Sequence, residues 1–361
     1  MTNKSQKLYG AIDSGKTILC VGPMSFNCID AAIEVANENQ IPMILIPSRR
    51  QVECKKLGGG YVTDTETFAK YVRERDKGNW ILIERDHGGV FQGNNESDLS
   101  VDKAFDNAME SYLTDIDSGF DIIEIDCSLK KTRLESVLFD NRLMHQFCKD
   151  ITEDEDIIYE FEFEEHSLKK TGIEDFQKAI DCVVKTRKKD DIKFLVGNVG
   201  LYVREMENVG KVDFDLLDDF IQDCELNGLY FKMHNCDYLD KKTLKNINES
   251  DVAAINIAPE FGVVETKELL DLLSKNMFKE YKNLIKIACE SNKWKKWMKD
   301  SSDQADYYLA EICGHYIFNH PEVVEIKRKA QEKFDLDFVL KNVVKDKIKY
   351  YLKGLGWKIN V

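Results

Sequence analysis

Short apolar runs alternate with longer amphipathic stretches along most of this chain, and that alternation restricts the fold more than any other feature. Apolar runs of this kind are typical of strands in a parallel sheet that is covered on both faces. The runs occupy positions 16–21, 42–47, 80–83, 121–125, 157–163, 193–199, 229–233 and 252–257. Eight strands that alternate with helices predict an α/β fold, a (β/α)8 TIM barrel.

The pattern changes after Phe261, where the chain becomes helical and basic. We predict that residues 1–266 form the barrel core. Residues 267–361 are expected to contain the last barrel helix and a helical C-terminal extension that packs against the barrel.

The composition excludes several kinds of partner. The 51 basic and 65 acidic residues give a net charge of -14, which argues against a nucleic-acid groove. The ten cysteines stand singly with no CxxC pair, as expected for reduced thiols. The first residues lack an apolar leader, and no segment reaches membrane-spanning length. We expect a cytoplasmic protein with no membrane and no nucleic-acid partner.

Polar residues follow two of the predicted strands at their carboxyl ends. In parallel α/β proteins, ligands bind at the carboxyl ends of the strands. The third strand ends in Asp86-His87 and two glycines, which permit a tight turn. The seventh ends in His234, Asn235, Cys236 and Asp237. A capping aspartate and a structural histidine are the alternative for a lone Asp-His pair. The recurrence at a second strand favours a functional site.

The fifth strand contains three carboxylates in alternation, Glu160, Glu162 and Glu164, so all three should face the same side of the sheet. Three carboxylates cannot face an apolar layer without partners. We therefore expect them to be paired or to bind a cation.

The other histidines are weaker candidates. His145 lies in the helix after the fourth strand and is expected to be structural, whereas His166 directly follows the acidic strand and is a reserve metal ligand. His315 and His320 lie in the C-terminal extension, where nothing in the sequence connects them with the barrel mouth.

Several segments together resemble the accessory subunit of class II tagatose-bisphosphate aldolase and the related ketose-phosphate 4-epimerases. More distantly, they resemble the class II fructose-bisphosphate aldolases. The segments are PMILIPSRRQVECKKLGGGYV, IERDHGG, IIEIDCSL, NVGLYVREMENVGKVDFDLL, FKMHNCDYLDKKTLKNI, INIAPEF and DKIKYYLKGL.

The resemblance implies zinc or another divalent metal on His87 and His234. The family's third metal-binding histidine is absent, because the matching segment reads Val199-Gly200-Leu201-Tyr202. Either Glu162 or Glu164 completes the site, or the site is degenerate.

The resemblance also assigns catalytic and substrate-binding residues. Asp86 is the expected general acid and base, although its side chain leaves the strand opposite to that of His87 unless the backbone bends after Arg85. Asn256 on the eighth strand matches an asparagine that contacts the enediolate, with a loop-capping role as the alternative. The other substrate-binding candidates are Gly200, Asn235 and Asp237.

Two arginines after the second strand, Arg49 and Arg50, have no counterpart in the family pattern. Guanidinium groups match phosphate and carboxylate groups geometrically, so we expect one of them to bind the anionic end of a substrate.

These features predict a metal-dependent class II-type aldolase that acts on a ketose phosphate or a related anionic sugar. Two alternatives remain open at this point. One is a retro-aldol 4-epimerase, and the other is a non-catalytic accessory subunit that requires a catalytic aldolase partner. A homo-oligomer is a further possibility for either kind of enzyme.

Overall fold

Eight parallel strands form a closed barrel in the computed structural model, which describes residues 2–130, 133–152, 156–163, 169–299 and 303–360. The strands are β1 Ile18–Val21, β2 Met43–Leu45, β3 Ile81–Arg85, β4 Ile122–Asp126, β5 Ile158–Glu162, β6 Ile192–Val196, β7 Tyr230–Met233 and β8 Ala254–Ile257. Neighbours in sequence are neighbours in the barrel, and β8 pairs with β1. The predicted TIM barrel is confirmed.

Helices separate the strands and continue beyond β8. They are α1 Asn3–Asp13, α2 Phe26–Asn39, α3 Thr65–Arg75, α4 Val101–Asp117, α5 Leu134–Asp150, α6 Ile173–Thr186, α7 Phe214–Leu226, α8 Lys241–Glu249, α9 Pro259–Asn276, α10 Phe278–Glu290, α11 Asp306–Cys313, α12 Pro321–Gln331 and α13 Leu336–Gly354. None of the described helices is long and apolar enough to cross a lipid bilayer. The ten cysteines form no disulfide.

The barrel interior changes from apolar to polar along the strands. At the amino-terminal end, inward side chains such as Ile18, Leu82, Ile122 and Phe194 form one buried cluster with Leu8 of α1. The helix α1 therefore closes this end. Two residues further along, the inward positions of four strands are charged, because side chains at i and i+2 share a face. They are Glu84 on β3, Glu124 on β4, Glu160 on β5 and Lys232 on β7. The functional groups consequently lie in the carboxyl-terminal half of the barrel.

The outer ring of helices is completed by α13 rather than by the helix that follows β8. Helix α13 packs against α2 and α8, and its residues Val344, Ile348 and Leu352 belong to the main core. Helix α9 instead directs Leu269 and Leu273 into a second core. Helix α13 lies within residues 267–361, the range expected to contain the last barrel helix. The domain boundary predicted at 266/267 falls inside α9.

The second core belongs to the C-terminal extension. It joins the end of α9 to α10, α11, α12 and the start of α13. The short 3-10 helix Lys295–Trp297 also belongs to the extension, and Glu205 of the barrel donates its backbone N–H to the Trp297 carbonyl. The extension thus reaches the loops at the barrel mouth.

Candidate metal centre at the barrel mouth

The end of β3 presents Asp86 and His87 to the barrel interior by two different means. Asp86 continues the inward alternation of Leu82 and Glu84, and its N–H donates to the Pro47 carbonyl at 3.1 Å. His87 would face outward, but its φ of 46° turns the chain, and its backbone N–H donates to Glu124 Oε2 at 2.7 Å. The bend therefore lies at His87, not after Arg85 as expected. A left-handed histidine is uncommon and is often found at functional sites.

Glycine is required directly after this bend. Gly89 has a φ of 129°, and a Cβ there would lie 2.2 Å from the Asp126 carbonyl oxygen. The two strand ends can approach this closely only because the side chain is absent.

Four side chains from four strands converge beyond this turn. His87, Glu124, Glu162 and His234 can each offer one ligand atom, and these atoms all lie within 4.8 Å of one another. His87 Nδ1 lies 3.0 Å from Glu162 Oε2, and His234 Nδ1 lies 3.5 Å from Glu162 Oε1. The two imidazole rings are 5.5 Å apart between centroids.

The hydrogen bonding of these four residues fits a divalent cation. Both ring nitrogens of His234 are buried and make no hydrogen bond, and the same holds for Glu124 Oε1. Buried polar atoms without partners are costly, and a bound cation would satisfy one of the two His234 nitrogens together with the carboxylate oxygen. Two imidazoles and two carboxylates are a ligand set that suits zinc and other first-row metals. The 39 % exposure of the His87 side chain leaves the centre open towards the mouth.

The electrostatics of the centre reflect its acidic surroundings. Burial lowers the pKa of His234, but the neighbouring carboxylates, Glu162 first, outweigh it and raise that pKa to about 9. Burial raises the pKa of Glu162, but the two histidines reverse this and hold it well below its usual range. Glu124 differs, because burial and the like charge of Glu162 raise its pKa. The centre attracts positive charge.

A second charged layer lies directly below the centre. Lys232, two residues before His234, donates to Glu84 Oε1 at 2.6 Å and to Glu160 Oε2 at 2.9 Å. All three side chains are fully buried. Glu160 also connects the layers, because its Oε1 lies 3.5 Å from His234 Nε2.

Asp86 stands beside the centre and is held by a partner from β8. Asn256 Nδ2 donates to Asp86 Oδ1 at 2.9 Å, and the Asn256 Oδ1 atom is buried without a hydrogen-bond partner. Asp86 Oδ2 lies 3.9 Å from His87 Nε2. The structure thus places Asp86, Asn256, His87, His234 and Glu162 together at the carboxyl end of the barrel.

The two arginines after β2 have different environments. Arg49 is 1 % exposed; its Nε donates to Glu53 and its Nη2 to Glu96, each at 2.7 Å, and its Nη1 donates to the Gly89 carbonyl at 2.6 Å. These contacts count against the substrate-binding role predicted for Arg49. Arg50 is exposed and forms no ion pair among the described residues. Of the two arginines, Arg50 remains the candidate for binding the anionic end of a substrate.

The C-terminal extension places Lys296 near Arg50. Lys296 Nζ lies 4.7 Å from the ring centroids of both Trp297 and Tyr316. Desolvation of the ammonium group, followed by the like charge of Arg50, lowers the pKa of Lys296, although the residue as a whole is exposed to solvent. Two cations in proximity form a candidate anion site at the barrel mouth.

The other predicted substrate-binding residues have mainly local contacts. Asp237 Oδ1 accepts the backbone N–H groups of Ala258 and Glu260, so this carboxylate caps the start of α9. Asn235 adopts a left-handed φ of 59° and is half-buried. Gly200 is buried, and its N–H donates to Asn198 Oδ1 at 2.8 Å. A substrate-binding role for any of these three remains a prediction.

The remaining histidines lie apart from the centre or outside the description. His145 is buried behind the barrel wall, where Nε2 lies 3.1 Å from Asp191 Oδ2, as expected for a structural residue. His315 is buried in the extension against Gly262. Glu164 and His166, both considered as metal ligands, lie outside the described residues.

Sequence reasoning missed three charged residues of the barrel interior. Glu124 and Lys232 lie within apolar runs, and Glu84 lies between such a run and the Asp86-His87 pair. The sequence feature that could have identified these three residues is their spacing. Each lies two residues before a polar residue at the end of the same strand, Asp86, Asp126 or His234, and therefore shares its face.

The fold and the side chains at its mouth define a (β/α)8 barrel with a candidate metal centre. No protein-family profile matches the chain, and no curated protein sequence matches it.

Solved structures share its fold at low identity. A probable tagatose 6 phosphate kinase from Sinorhizobium meliloti is 15 % identical with a TM-score of 0.79, and the match covers 94 % of this chain and 100 % of that one. The fructose-bisphosphate aldolase of Campylobacter jejuni is 14 % identical with a TM-score of 0.60, covering 98 % and 93 %. The YdjI aldolase of Escherichia coli K12 is 13 % identical with a TM-score of 0.51, covering 90 % and 96 %.

Proposed function

We propose that this protein is a metal-dependent, class II-type aldolase that acts on a ketose phosphate or a related anionic sugar. The observation that carries the proposal is the convergence of His87, Glu124, Glu162 and His234 at the carboxyl ends of four barrel strands. Two of the solved structures with this fold are aldolases by name, which supports the same reaction class.

His87 and His234 are the proposed nitrogen ligands, and Glu162 and Glu124 the proposed oxygen ligands. A divalent cation bound there would act as a Lewis acid towards the carbonyl and hydroxyl oxygens of a sugar. Glu162 replaces the histidine that the family pattern places after the sixth strand. The residue at that position, Val199, is buried in the hydrophobic core.

Asp86 is the proposed general acid and base. Cleavage of a carbon–carbon bond β to a ketone requires a base that removes the proton of the hydroxyl group, and a carboxylate beside the metal centre can do so. The hydrogen bond from Asn256 Nδ2 fixes the orientation of that carboxylate. The free Asn256 Oδ1 can accept a substrate hydroxyl group.

The anionic end of the substrate is proposed to bind at Arg50 and Lys296. A phosphate between them would accept charge-assisted hydrogen bonds from both side chains. A charged hydrogen bond is worth about 1.5 to 3 kcal/mol, so either residue should affect KM strongly.

The test combines metal analysis with product analysis. Protein purified without chelator should contain one equivalent of zinc, manganese or cobalt per chain, and a panel of ketose phosphates examined by NMR should show cleavage. Asp86→Asn should abolish cleavage without loss of metal. Protein that binds no divalent metal would refute the proposal.

The same panel decides between the alternatives. Inversion at C4 without net cleavage would identify a retro-aldol epimerase, because the same bond is broken and resealed. No turnover by the protein alone, together with activation of a separate class II aldolase on mixing, would identify an accessory subunit.

A further inference from the structure

Lys232 is an unusual residue for the interior of a barrel. Its side chain is 1 % exposed, and its ammonium group donates to one oxygen of Glu84 and one of Glu160. The ammonium group is buried and held between two carboxylates. A Schiff-base role, which requires an accessible neutral amine, is therefore excluded by the packing.

The carboxylates around Lys232 have the geometry of a second metal site. Glu84, Glu124 and Glu160 can each offer an oxygen, and these three atoms lie within 4.8 Å of one another. Each residue also retains one buried oxygen without a hydrogen-bond partner, namely Glu84 Oε2, Glu124 Oε1 and Glu160 Oε1. Glu124 belongs to this lower group and to the upper metal centre.

The upper metal centre and the lower carboxylate group are therefore two stacked cation positions that share Glu124. The lower position already holds a cation, the ammonium group of Lys232. Three buried carboxylates repel one another in a medium of low dielectric unless positive charge lies among them. In this chain that charge is covalently attached, because the Lys232 ammonium group lies between Glu84 and Glu160.

The lysine also acts on the upper centre through one carboxylate. Glu160 Oε2 accepts from Lys232, while its Oε1 faces His234 Nε2 at 3.5 Å. Carboxylates that face the second nitrogen of a metal-binding histidine orient the ring and select its tautomer. With Glu160 anchored in this way, His234 Nδ1 is directed towards Glu162.

We propose that Lys232 is a built-in cation that excludes a second divalent metal from Glu84, Glu124 and Glu160 and limits the barrel to one metal per chain. Through Glu160 it acts as a positioning residue for His234. This inference rests on the proposed metal centre, but it concerns the number of metals bound and not the reaction.

The experiment counts cobalt and zinc in chelator-treated, reconstituted protein by elemental analysis and calorimetry. Wild type should bind one equivalent. Lys232→Met, which keeps the length of the side chain without its charge, should bind two, and the cobalt absorption spectrum should gain a second component. Lys245→Met, whose lysine is 69 % exposed, is the matched control and should bind one.

A second variant separates charge from folding. Lys232→Met combined with Glu84→Gln removes one positive and one negative charge, so it should fold and bind one equivalent. If Lys232→Met alone is unfolded without metal, two equivalents of zinc should restore its circular dichroism spectrum.

One equivalent in both wild type and Lys232→Met would overturn the inference while leaving the metal centre in place. Failure of any divalent metal to refold an unfolded Lys232→Met protein would also overturn it. Zero equivalents in wild type would instead refute the proposed function, and this inference with it.

Discussion

Replacing Arg49 by methionine should destabilise the fold, whereas the same change at Arg50 should not. Arg49 is buried with Glu53 and Glu96, and its loss leaves both carboxylates buried without their cation. Removing one partner of a buried ion pair costs about 3 to 5 kcal/mol. Both carboxylates keep other hydrogen bonds, to the Cys54 N–H and the Gly93 N–H respectively. We therefore expect the lower end of that range, about 3 kcal/mol.

This free energy corresponds to a measurable change in melting temperature. An unfolding entropy of roughly 2.1 cal/mol/K per residue over the 361 residues gives about 0.76 kcal/mol/K, so about 3 kcal/mol lowers Tm by roughly 4 °C. The assay is thermal unfolding by circular dichroism, in chelator and with metal. Arg50→Met should change stability by less than about 0.5 kcal/mol, a shift below about 1 °C.

The paired variants also test the assignment of the anion site. Arg50→Met should raise KM for a ketose phosphate, while folded Arg49→Met should retain a KM near that of wild type. An Arg49→Met protein that melts within 1 °C of wild type would refute the reasoning about burial. A large loss of stability in Arg50→Met would do the same.

Three further predictions concern the centre and the barrel wall. Asp86→Asn should lower kcat by about 10² to 10⁴ with unchanged metal content, and a loss of metal would mean that Asp86 is a ligand. His87→Ala and His234→Ala should each lose metal, measured by elemental analysis, while retaining the circular dichroism spectrum; metal retained in both variants would disprove the ligand assignment. Burial raises the pKa of Asp191, but its hydrogen bond with His145 outweighs burial and lowers that pKa below the usual range. The charged carboxylate therefore stabilises the fold at pH values above the unfolded-state pKa of about 3.9, and this stabilisation is lost in acid. Asp191→Asn should therefore melt lower than wild type from pH 5 to 7, with a difference that shrinks below about pH 4.

The barrel was predictable because each strand is a continuous apolar run, which a doubly covered parallel strand requires. The helix that completes the ring was not predictable in the same way. Helices α9 and α13 both have amphipathic patterns, and only tertiary packing decides that α13 lies against α2. The local sequence of either helix does not indicate which of the two packs against a helix about 310 residues away in the chain.

The candidate site was predictable where a polar residue ends an apolar run. Asp86, His87 and His234 have this position, so sequence alone was enough to select them as candidates. Glu124 and Lys232 interrupt their strands instead, and their significance depends on neighbours from other strands.

The choice between adjacent arginines was also beyond the sequence. Arg49 is buried because Glu53 and Glu96 surround it, and Glu96 approaches from a loop 47 residues away. A local pattern cannot reveal which of two neighbouring guanidinium groups has a buried partner.

The position of α13 has a consequence for the synthesis of this protein. Helix α2 begins at Phe26, and the helix that covers it begins at Leu336, about 310 residues later. At roughly 5 to 20 residues per second, a ribosome needs about 15 to 60 seconds to make the intervening chain. Throughout that interval, the apolar face that α2 later presents to α13 has no partner from its own chain. The nascent polypeptide should therefore depend on chaperones until its last helix emerges.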